Sequence, residues 1–517
     1  MDPKTRSEAQ PEAQQQQQQG EHRHVTLEQH TSWINILTVV AAAMASFTFG
    51  FSNNVISGTL AQDSFLAYFL TTNANSRIGG MLGAFFGGGF IGAIVQSPLS
   101  TRYGRRPCNT VAALLVMVAA ALQAGSVHLA MFLVARVLNG IGAGMIITNT
   151  PVYLSEVSPA HTRGILVSAQ GVAITAAYIL SSLTALGFHY VDESYQWRLQ
   201  FVILTALSIL LTITMFFIPE SPRWLMDHGR FDEAWTVLER LHRTKADPEG
   251  RIARAEYVQI KAQVEEEKAL PTGYLHIWKS PSLRKRAICG SVVWIMGQST
   301  GIVVIANLAP RLFAGLGFDR VLQLGLSVVW VTVCAIGTWL SGLLIERLGR
   351  IKQMVLGGYL CTGALIIEAV LQKYYIGTNN KSGLNAATAM YFIFVFLFGL
   401  LIECPGYTYL VEIWPTHLRS EGATIGFVSF FTMTIIYNSP AAQAFATIGW
   451  RYYFVMVSVC LVSTTFMAWY CPETAGLTLE EVAAKFGDHV AVDIDTVDVD
   501  RFQIEKVHES HVEVVSV

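Results

Sequence analysis

The stretch Arg136–Gln170, RVLNGIGAGMIITNTPVYLSEVSPAHTRGILVSAQ, places very few polar side chains within long apolar runs. Arg136 stands near its start and is followed by glycines at the spacing of one helix face. A short charged bend carries Glu156 and Arg163, and a single amide, Gln170, marks the return to an apolar run. Because polar groups inside a membrane span are costly and usually functional, this pattern indicates a solute pathway through a membrane.

The composition of the whole chain supports a membrane protein. Of its 517 residues, 52% are hydrophobic and only 14% are charged, whereas soluble domains have about 25% charged residues. A formal net charge of -2 gives no reason to expect a nucleic-acid partner. The seven cysteines are scattered, mostly in apolar runs, which predicts buried thiols and neither a disulfide framework nor a metal site.

The pattern of apolar runs predicts an all-α membrane protein with twelve transmembrane helices, since a span needs roughly 20 predominantly apolar residues. The predicted spans are 33–54, 77–98, 110–128, 130–154, 163–187, 198–218, 287–312, 321–345, 353–373, 386–411, 421–445 and 450–470. We expect two six-helix bundles, a charged helical linker between them and a tail at each end. In order, these are a disordered tail at 1–32, a bundle at 33–218, the linker at 219–286, a bundle at 287–471 and a tail at 472–517.

The distribution of cations predicts the orientation, because cytoplasmic loops carry an excess of Lys and Arg. The turns after spans two and eight and the linker are rich in these residues, and the opposite turns have few. Both termini, the linker and both tails are therefore predicted to be cytoplasmic. Asn380 begins an Asn-Lys-Ser sequon in a loop on the predicted outer side, which makes it a candidate glycosylation site.

Three motifs recur in the same order in the two halves. They are TRYGRRP (101–107) with ERLGRIK (346–352), YLSEVSPAHTRG (153–164) with YLVEIWPTHLRSEG (409–422), and PESPRWL (219–225) with PETAGLTL (472–479). Such repetition indicates a duplicated six-helix unit, and transporters of this kind bind their solute between the halves near the midplane of the membrane.

Acids accompany the bases in these motifs, which predicts a charge network that holds the two bundles together and gates the pathway. Each exposed ion pair contributes about 0–1 kcal/mol, but several together can bias a two-state equilibrium. The alternative that the cations only set the topology stays open. The residues assigned to this network are Arg102, Arg105, Arg106, Arg136, Glu156, Arg163, Glu220, Arg223, Glu346, Arg347, Arg350, Glu412, Arg419 and Glu473.

As a set, these motifs resemble the sugar porter family of the major facilitator superfamily, over residues 33–480 and in a fungal style. The resemblance implies a multi-pass, plasma-membrane carrier that moves a sugar by alternating access and is neither an enzyme nor dependent on a cofactor. Its implied partners are the lipid bilayer, a small-molecule solute such as a hexose or polyol, and a proton in coupled members.

The resemblance also implies a solute site, with several departures. Gln170 matches the family's sugar-binding glutamine of span five, and Gln298 is the one residue retained from its span-seven amide motif. Tyr407 matches the stacking tryptophan of span ten, and Glu403 stands where that motif opens with glycine. With the amides Asn307 of span seven and Asn438 of span eleven added, the expected contacts are Gln170, Gln298, Asn307, Tyr407, Asn438 and Glu403.

Proton coupling in the family uses an aspartate in span one, and Ser52 stands at that position in GFSNNVISG. Arg136 thereby lacks its usual acidic partner. Facilitated diffusion is therefore favoured over symport, with Glu403 as the proton carrier in the alternative. Glu403 also leaves open a solute other than a plain hexose, such as a fungal metabolite. A nutrient sensor on the same scaffold is a minor alternative, because the C-terminal tail is short and Arg163 is retained.

Overall fold

A computed structural model describes residues 32–158, 163–242, 250–267, 270–378, 380–477 and 479–487. The helices of the first half are α1 Trp33–Thr59, α2 Asp63–Phe69, α3 Ala74–Tyr103, α4 Arg105–Ala124, α5 Leu129–Val157, α6 Arg163–Phe188 and α7 Gln196–Phe217. The middle region contains α8 Pro222–Asp227, α9 Phe231–His242, α10 Arg251–Glu267 and α11 Tyr274–Lys279. The second half contains α12 Pro281–Ser299, α13 Ile302–Gly315, α14 Arg320–Leu348, α15 Arg350–Tyr375, α16 Lys381–Phe398, α17 Cys404–Glu412, α18 Arg419–Thr447, α19 Tyr452–Tyr470 and α20 Leu479–Phe486.

Twelve helical segments within the described part of the chain are long and apolar enough to cross a membrane, as the sequence predicted. Spans one to six are α1 and α3–α7, and spans eight, nine, eleven and twelve are α14, α15, α18 and α19. Spans seven and ten each comprise two helices, α12 with α13 and α16 with α17. The fold class is therefore confirmed, with most helix ends displaced by a few residues.

Helices within each half pack closely, and the halves meet along two pairs of helices. In the first half α5 packs between α3 and α4, while α12 of the second half packs against α18 and α19. Across the boundary α3 lies against α18, and α6 lies against α14. The helices α8–α11 of the middle region lie at one end of the two bundles. There the Trp224 indole N–H donates to the Thr101 carbonyl at 2.9 Å. We call this end the linker face.

Span seven is broken, whereas the sequence predicted a continuous helix over 287–312. Gly301 has φ +76°, in the left-handed region that favours glycine. A Cβ atom there would also lie 2.6 Å from the Met456 sulfur. The break ends α12 just after Gln298 and starts a new helix direction.

Span ten is widened rather than broken. Residues Gly399–Glu403 form a π-helical turn between α16 and α17, where the sequence predicted a regular helix over 386–411. Pro405 follows two residues later and has no N–H to donate to the preceding turn, which favours such a local change. The backbone at Gly399 also lies against the Cys334 carbonyl, with room for no side chain.

The predicted tails fall partly outside the described residues. Of the N-terminal tail predicted at 1–32, only Ser32 is described. The C-terminal tail predicted at 472–517 contains the helix α20 at Leu479–Phe486, and its residues 488–517 lie outside the described part. Phe486 of α20 lies 4.9 Å from the Arg286 guanidinium and 5.4 Å from the Lys285 ammonium, both on α12. These contacts attach α20 to the second half.

Candidate solute site and its gates

The amides predicted to hold the solute lie on both sides of the boundary between the halves. Gln170 is on α6 in the first half, while Gln298, Asn307 and Asn438 are on α12, α13 and α18 in the second. All four side chains are buried. The amides of the broken span seven come from both of its segments, Gln298 from α12 and Asn307 from α13.

Hydrogen bonds join the amides of the second half to one another and to α18. The Asn307 amide nitrogen donates to the Asn438 side-chain oxygen at 3.0 Å. The Thr434 hydroxyl donates to the Gln298 side-chain oxygen at 3.2 Å. No described residue accepts a hydrogen bond from the Gln298 amide nitrogen, which leaves that donor for a ligand.

Among the described residues, Gln170 lacks a partner for its side-chain oxygen, whereas Gln298 lacks one for its nitrogen. Its amide nitrogen donates to the Ile147 carbonyl at 3.4 Å, whereas its side-chain oxygen is buried with no partner in the described structure. Buried polar atoms are nearly always hydrogen-bonded. A ligand hydroxyl or a water can supply the missing donor.

An aromatic group that sequence reasoning missed lies beside these amides. The ring of Trp294 is 4.9 Å from that of Tyr407, and Phe427 and Phe430 lie within 5.7 Å of Trp294. The Trp294 indole nitrogen is buried without an acceptor among the described residues. The available signal was its spacing, since Trp294 is four residues before Gln298 and so shares its helix face.

Glu403 ends the π-helical turn of span ten and lies at the boundary with α6. A Cβ atom on Gly171, the neighbour of Gln170, would be 3.8 Å from the Glu403 Cγ. Tyr178 and Tyr407 are close enough to interact with the Glu403 carboxylate electrostatically. Glu403 is partly exposed and forms no ion pair with another described residue. Single π turns within α-helices are frequent at functional sites.

Two further polar residues of the first half were missed by sequence reasoning. The Asn53 amide nitrogen of α1 donates to the Tyr178 hydroxyl of α6 at 2.8 Å. This bond connects α1 to the tyrosine that neighbours Glu403. The acidic group of the second half therefore has polar neighbours in both halves.

The two halves touch at the linker face. The Gln96 amide nitrogen of α3 lies 3.5 Å from the Ser420 hydroxyl of α18, and the Thr424 hydroxyl donates to the Ala93 carbonyl at 3.3 Å. These contacts close the space between α3 and α18 on that side.

The halves also touch at the opposite face. The Ser57 hydroxyl at the end of α1 donates to the Ala306 carbonyl of α13 at 2.8 Å, and Arg320 of α14 forms an ion pair with Asp63. The amides and the aromatic group thus lie between two places at which the halves are in contact.

The strongest ion pairs of the predicted network lie within a half. The Arg105 guanidinium makes two bonds of 3.0 Å to the Glu156 carboxylate. In the corresponding positions Arg350 makes bonds of 3.0 and 3.2 Å to Glu412 and a further pair to Glu346. The expectation that these pairs hold the two bundles together is thus wrong for the pairs themselves, because each joins neighbouring helices of one bundle.

Charge complementarity across the boundary comes from other partners. Arg105 interacts electrostatically with Glu421, and Glu156 does so with Arg419, both from the start of α18. Glu421 was not assigned by sequence reasoning, although it lies two residues after Arg419 in the repeated motif. Four charges, two from each half, therefore lie near the boundary at this face.

Two capping glutamates, Glu220 and Glu473, also occupy corresponding positions. Glu220 accepts hydrogen bonds from the backbone N–H groups of Arg105 and Arg106 at 3.0 and 3.2 Å, at the start of α4. Glu473 accepts from the N–H groups at the start of α15, the shortest at 2.7 Å. A carboxylate is favourable there because a helix N-terminus presents unpaired N–H groups and partial positive charge. Burial nevertheless raises the pKa of Glu220.

The glycines at 104 and 349 permit this capping. They have φ +106° and +88°, and a Cβ atom would lie 2.4 Å from Glu220 and 2.7 Å from Glu473 respectively. The Gly-Arg pair of each repeat thus supplies both the turn and the space for the carboxylate.

Replacing Gly349 with alanine is therefore expected to lower the thermal unfolding midpoint of the purified protein. An alanine at this φ is strained by about 1–3 kcal/mol and displaces the Glu473 cap. Gly342→Ala, in the same half, is the matched control because nothing lies within 4 Å of its added methyl group. Equal midpoints for the two variants would contradict this account of the turn.

Of the other residues predicted for the network, some form no ion pair with another described residue and one has a side chain outside the described residues. The Arg106 guanidinium donates to the Phe216 carbonyl at 3.3 Å, and the Arg102 guanidinium lies over the Tyr103 ring. Arg223 and Arg347 form no ion pair with another described residue. The side chain of Arg163 lies outside the described residues.

Arg136 does not belong to this network. It lies in the second turn of α5, at the end far from Glu156 and the linker face. Its guanidinium packs over the Phe85 ring at 4.4 Å, and its only hydrogen bond among the described residues runs from Nε to the Met81 carbonyl at 3.5 Å. The assignment of Arg136 to the charge network is therefore wrong, because Arg136 lies at the other end of α5 from that network.

Asn380 precedes α16 at the face opposite the linker and is exposed. Its side-chain oxygen accepts a hydrogen bond from the Gly383 N–H at 3.2 Å and so caps the helix. Its glycosylation stays a prediction.

Comparison with known proteins agrees with this architecture. Residues 38–486 match the family model described as sugar (and other) transporter. The chain belongs to this family. The sugar transporters similar to it include the high-affinity glucose transporter of Kluyveromyces lactis, 26% identical over 87% of this chain and 84% of that protein. The arabinose-proton symporter of Escherichia coli is 28% identical over 88% and 94%.

Other relatives broaden the family. The MFS-type transporter criB of Aspergillus cristatus is 31% identical over 89% of this chain and 95% of that protein. Among solved structures, the proton:xylose symporter XylE bound to 6-bromo-6-deoxy-D-glucose superposes with a TM-score of 0.77 at 22% identity, covering 88% of this chain and 100% of that chain. That likeness shows that this sugar transporter has the major facilitator fold.

Proposed function

We propose that this sugar transporter carries a neutral hexose or polyol by alternating access and facilitated diffusion. The observation that carries the proposal is the pair of buried amides Gln170 and Gln298, one from each half, which lie between the contacts that join the halves at the two faces. The former has an unfilled acceptor and the latter an unfilled donor. A polyhydroxylated solute supplies both partners at once.

The neighbouring groups suit a sugar ring. A buried site that hydrogen-bonds hydroxyl groups rejects analogues that lack them, because its own polar atoms would be left unpaired. Trp294 and Tyr407 add flat apolar surface for the C–H face of a pyranose. Asn307 and Asn438 bind each other and so need only rotate slightly to reach further hydroxyl groups.

The proposed transport mode follows from span one. Ser52 donates a hydrogen bond to the Asn139 side-chain oxygen at 2.6 Å and cannot change its charge near neutral pH. A cycle without a titrating group there needs no proton. We further propose that the linker face is cytoplasmic and that the carrier resides in the plasma membrane, in keeping with the cations of that face.

The experiment is an uptake screen in a cell that lacks its own sugar carriers. Labelled hexoses, pentoses, polyols and disaccharides are compared at two pH values, with and without a protonophore. We expect uptake of a hexose or polyol that is insensitive to both. Saturable uptake of none of these solutes would refute the sugar assignment, and uptake abolished by the protonophore would refute facilitated diffusion.

A second candidate, proton-coupled transport, is favoured by one observation, the carboxylate of Glu403 at the boundary of the halves without an ion-pair partner among the described residues. If Glu403 carries the proton, Glu403→Gln should abolish accumulation against a gradient while exchange of labelled for unlabelled sugar persists. Glu193→Gln is the control, because that acid is exposed in the loop between α6 and α7. An unchanged protonophore response in Glu403→Gln would exclude this role.

A further inference from the structure

Arg136 is a fully buried guanidinium whose charge is not compensated. Its exposed fraction is 0%, and neither Nη1 nor Nη2 has a hydrogen-bond partner among the described residues. No described carboxylate acts on it electrostatically. An arginine keeps its proton in proteins, and an isolated buried charge is strongly destabilising. The Met81 carbonyl, which accepts from Nε at 3.5 Å, and the ring of Phe85, at 4.4 Å, offer only part of the compensation.

A second unfilled donor lies one helical turn away on the same face of α5. The side-chain oxygen of Asn139 accepts the Ser52 hydrogen bond at 2.6 Å, while its amide nitrogen is buried with no partner in the described structure. Positions three apart on a helix are neighbours. Arg136 and Asn139 therefore present only N–H donors, and α1 offers the neutral Ser52.

A set of donors without an acceptor is the environment that an anion requires. Water has two donors of its own, but it brings no charge to balance the guanidinium. A halide or a carboxylate supplies both the acceptor atoms and the negative charge, and a carboxylate matches the planar fork of arginine.

We propose that Arg136 and Asn139 form an anion-binding site among α1, α3 and α5. Its occupant is a small anion or the carboxylate of an acidic solute, and these sources share one chemistry. The site is separate from the amides around Gln298, so it does not depend on the proposed sugar specificity.

The test measures thermal unfolding of the purified full-length protein, which requires no transport. In one arm chloride replaces the bulky morpholinoethanesulfonate anion at constant ionic strength. In the other arm glucuronate replaces it, with neutral glucose as the reference. We expect one of the two anions to raise the unfolding midpoint by roughly 1 °C or more at tenfold excess over its dissociation constant.

Ser52→Asp supplies the missing charge from within the chain and is expected to abolish this rise. Ser52→Asn, of nearly the same size and neutral, should keep it. Asn139→Asp places the same charge on α5 and replaces Ser52→Asp if that variant does not fold.

A response to chloride that the aspartate variant loses identifies a free anion as the occupant. A response to glucuronate alone, lost in the same variant, identifies the carboxylate of a solute. No response to either anion in the unmodified protein, or an equal response in the aspartate variant, would overturn the proposal. Hexose uptake that fails while the anion response persists would count against the proposed function and leave this site standing.

Discussion

Uptake of labelled hexose at low concentration is expected to fall roughly 10- to 100-fold when Gln298 is replaced with alanine. The amide nitrogen of Gln298 has no acceptor among the described residues, and its oxygen is already held by Thr434. Losing a buried hydrogen bond so that a solute hydroxyl stays unpaired costs about 1–3 kcal/mol, and each 1.4 kcal/mol is about a factor of ten in affinity. The measurement is the initial rate of uptake over a range of sugar concentrations.

The control for this prediction is another buried glutamine. Gln123 of α4 donates to the carbonyls of Ala119 and Ala135 at 3.3 Å, away from the boundary between the halves. Gln123→Ala loses an equally buried amide and should retain most uptake after correction for the amount of protein at the membrane. Uptake unchanged by Gln298→Ala, or reduced to the same extent by both variants, would refute the proposed role of Gln298.

Replacing Arg105 with methionine is expected to give the largest loss of stability, about 3–5 kcal/mol, because it leaves the buried Glu156 carboxylate without its partner. The Glu156 side chain is only 3% exposed. Arg106→Met is the matched control, since it removes one charge from the same turn where the guanidinium bonds a single exposed carbonyl. Thermal unfolding of the purified variants provides the comparison.

The double variant Arg105→Met/Glu156→Met separates folding from gating. Apolar residues in place of both partners should restore much of the unfolding midpoint. They also remove the charges that face Glu421 and Arg419 across the boundary. We expect transport to stay altered, with a changed balance between inward and outward exchange rates. A double variant with normal stability and normal exchange would show that these charges do not gate the pathway.

The sequence predicted the helices because lipid imposes a simple rule, about 20 apolar residues for each span. Repeated motifs similarly predicted which turns would correspond, and the matching contacts of Arg105 and Arg350 show why those letters recur. The break in span seven and the π-helical turn in span ten were not predictable from the length of the apolar runs. The stretch GQSTG at 297–301 interrupts the apolar run of span seven, but such a short interruption also occurs inside regular helices, and the left-handed conformation of Gly301 is what ends α12.

Which residue each charged side chain contacts was harder to predict than where the charged residues lie along the spans. Opposite charges near one membrane face indicate that ion pairs form there, but not whether Glu156 pairs with α4 of its own half or with α18 of the other. Trp294 was missed because its interior position depends on where α12 ends. For Arg136, the sequence already showed that span one lacks an acidic partner. Only the structure showed that the guanidinium is buried with both Nη atoms unpaired among the described residues.

The capping glutamates have a mechanical consequence for the two halves. Glu220 follows span six and binds the first turn of span three, α4. Glu473 follows span twelve and binds the first turn of span nine, α15. A bundle fastened in this way resists shear between its own helices. In the alternating access proposed above, we expect movement to be concentrated at the contacts between α3 and α18 and between α6 and α14, so that each half moves as a rigid body.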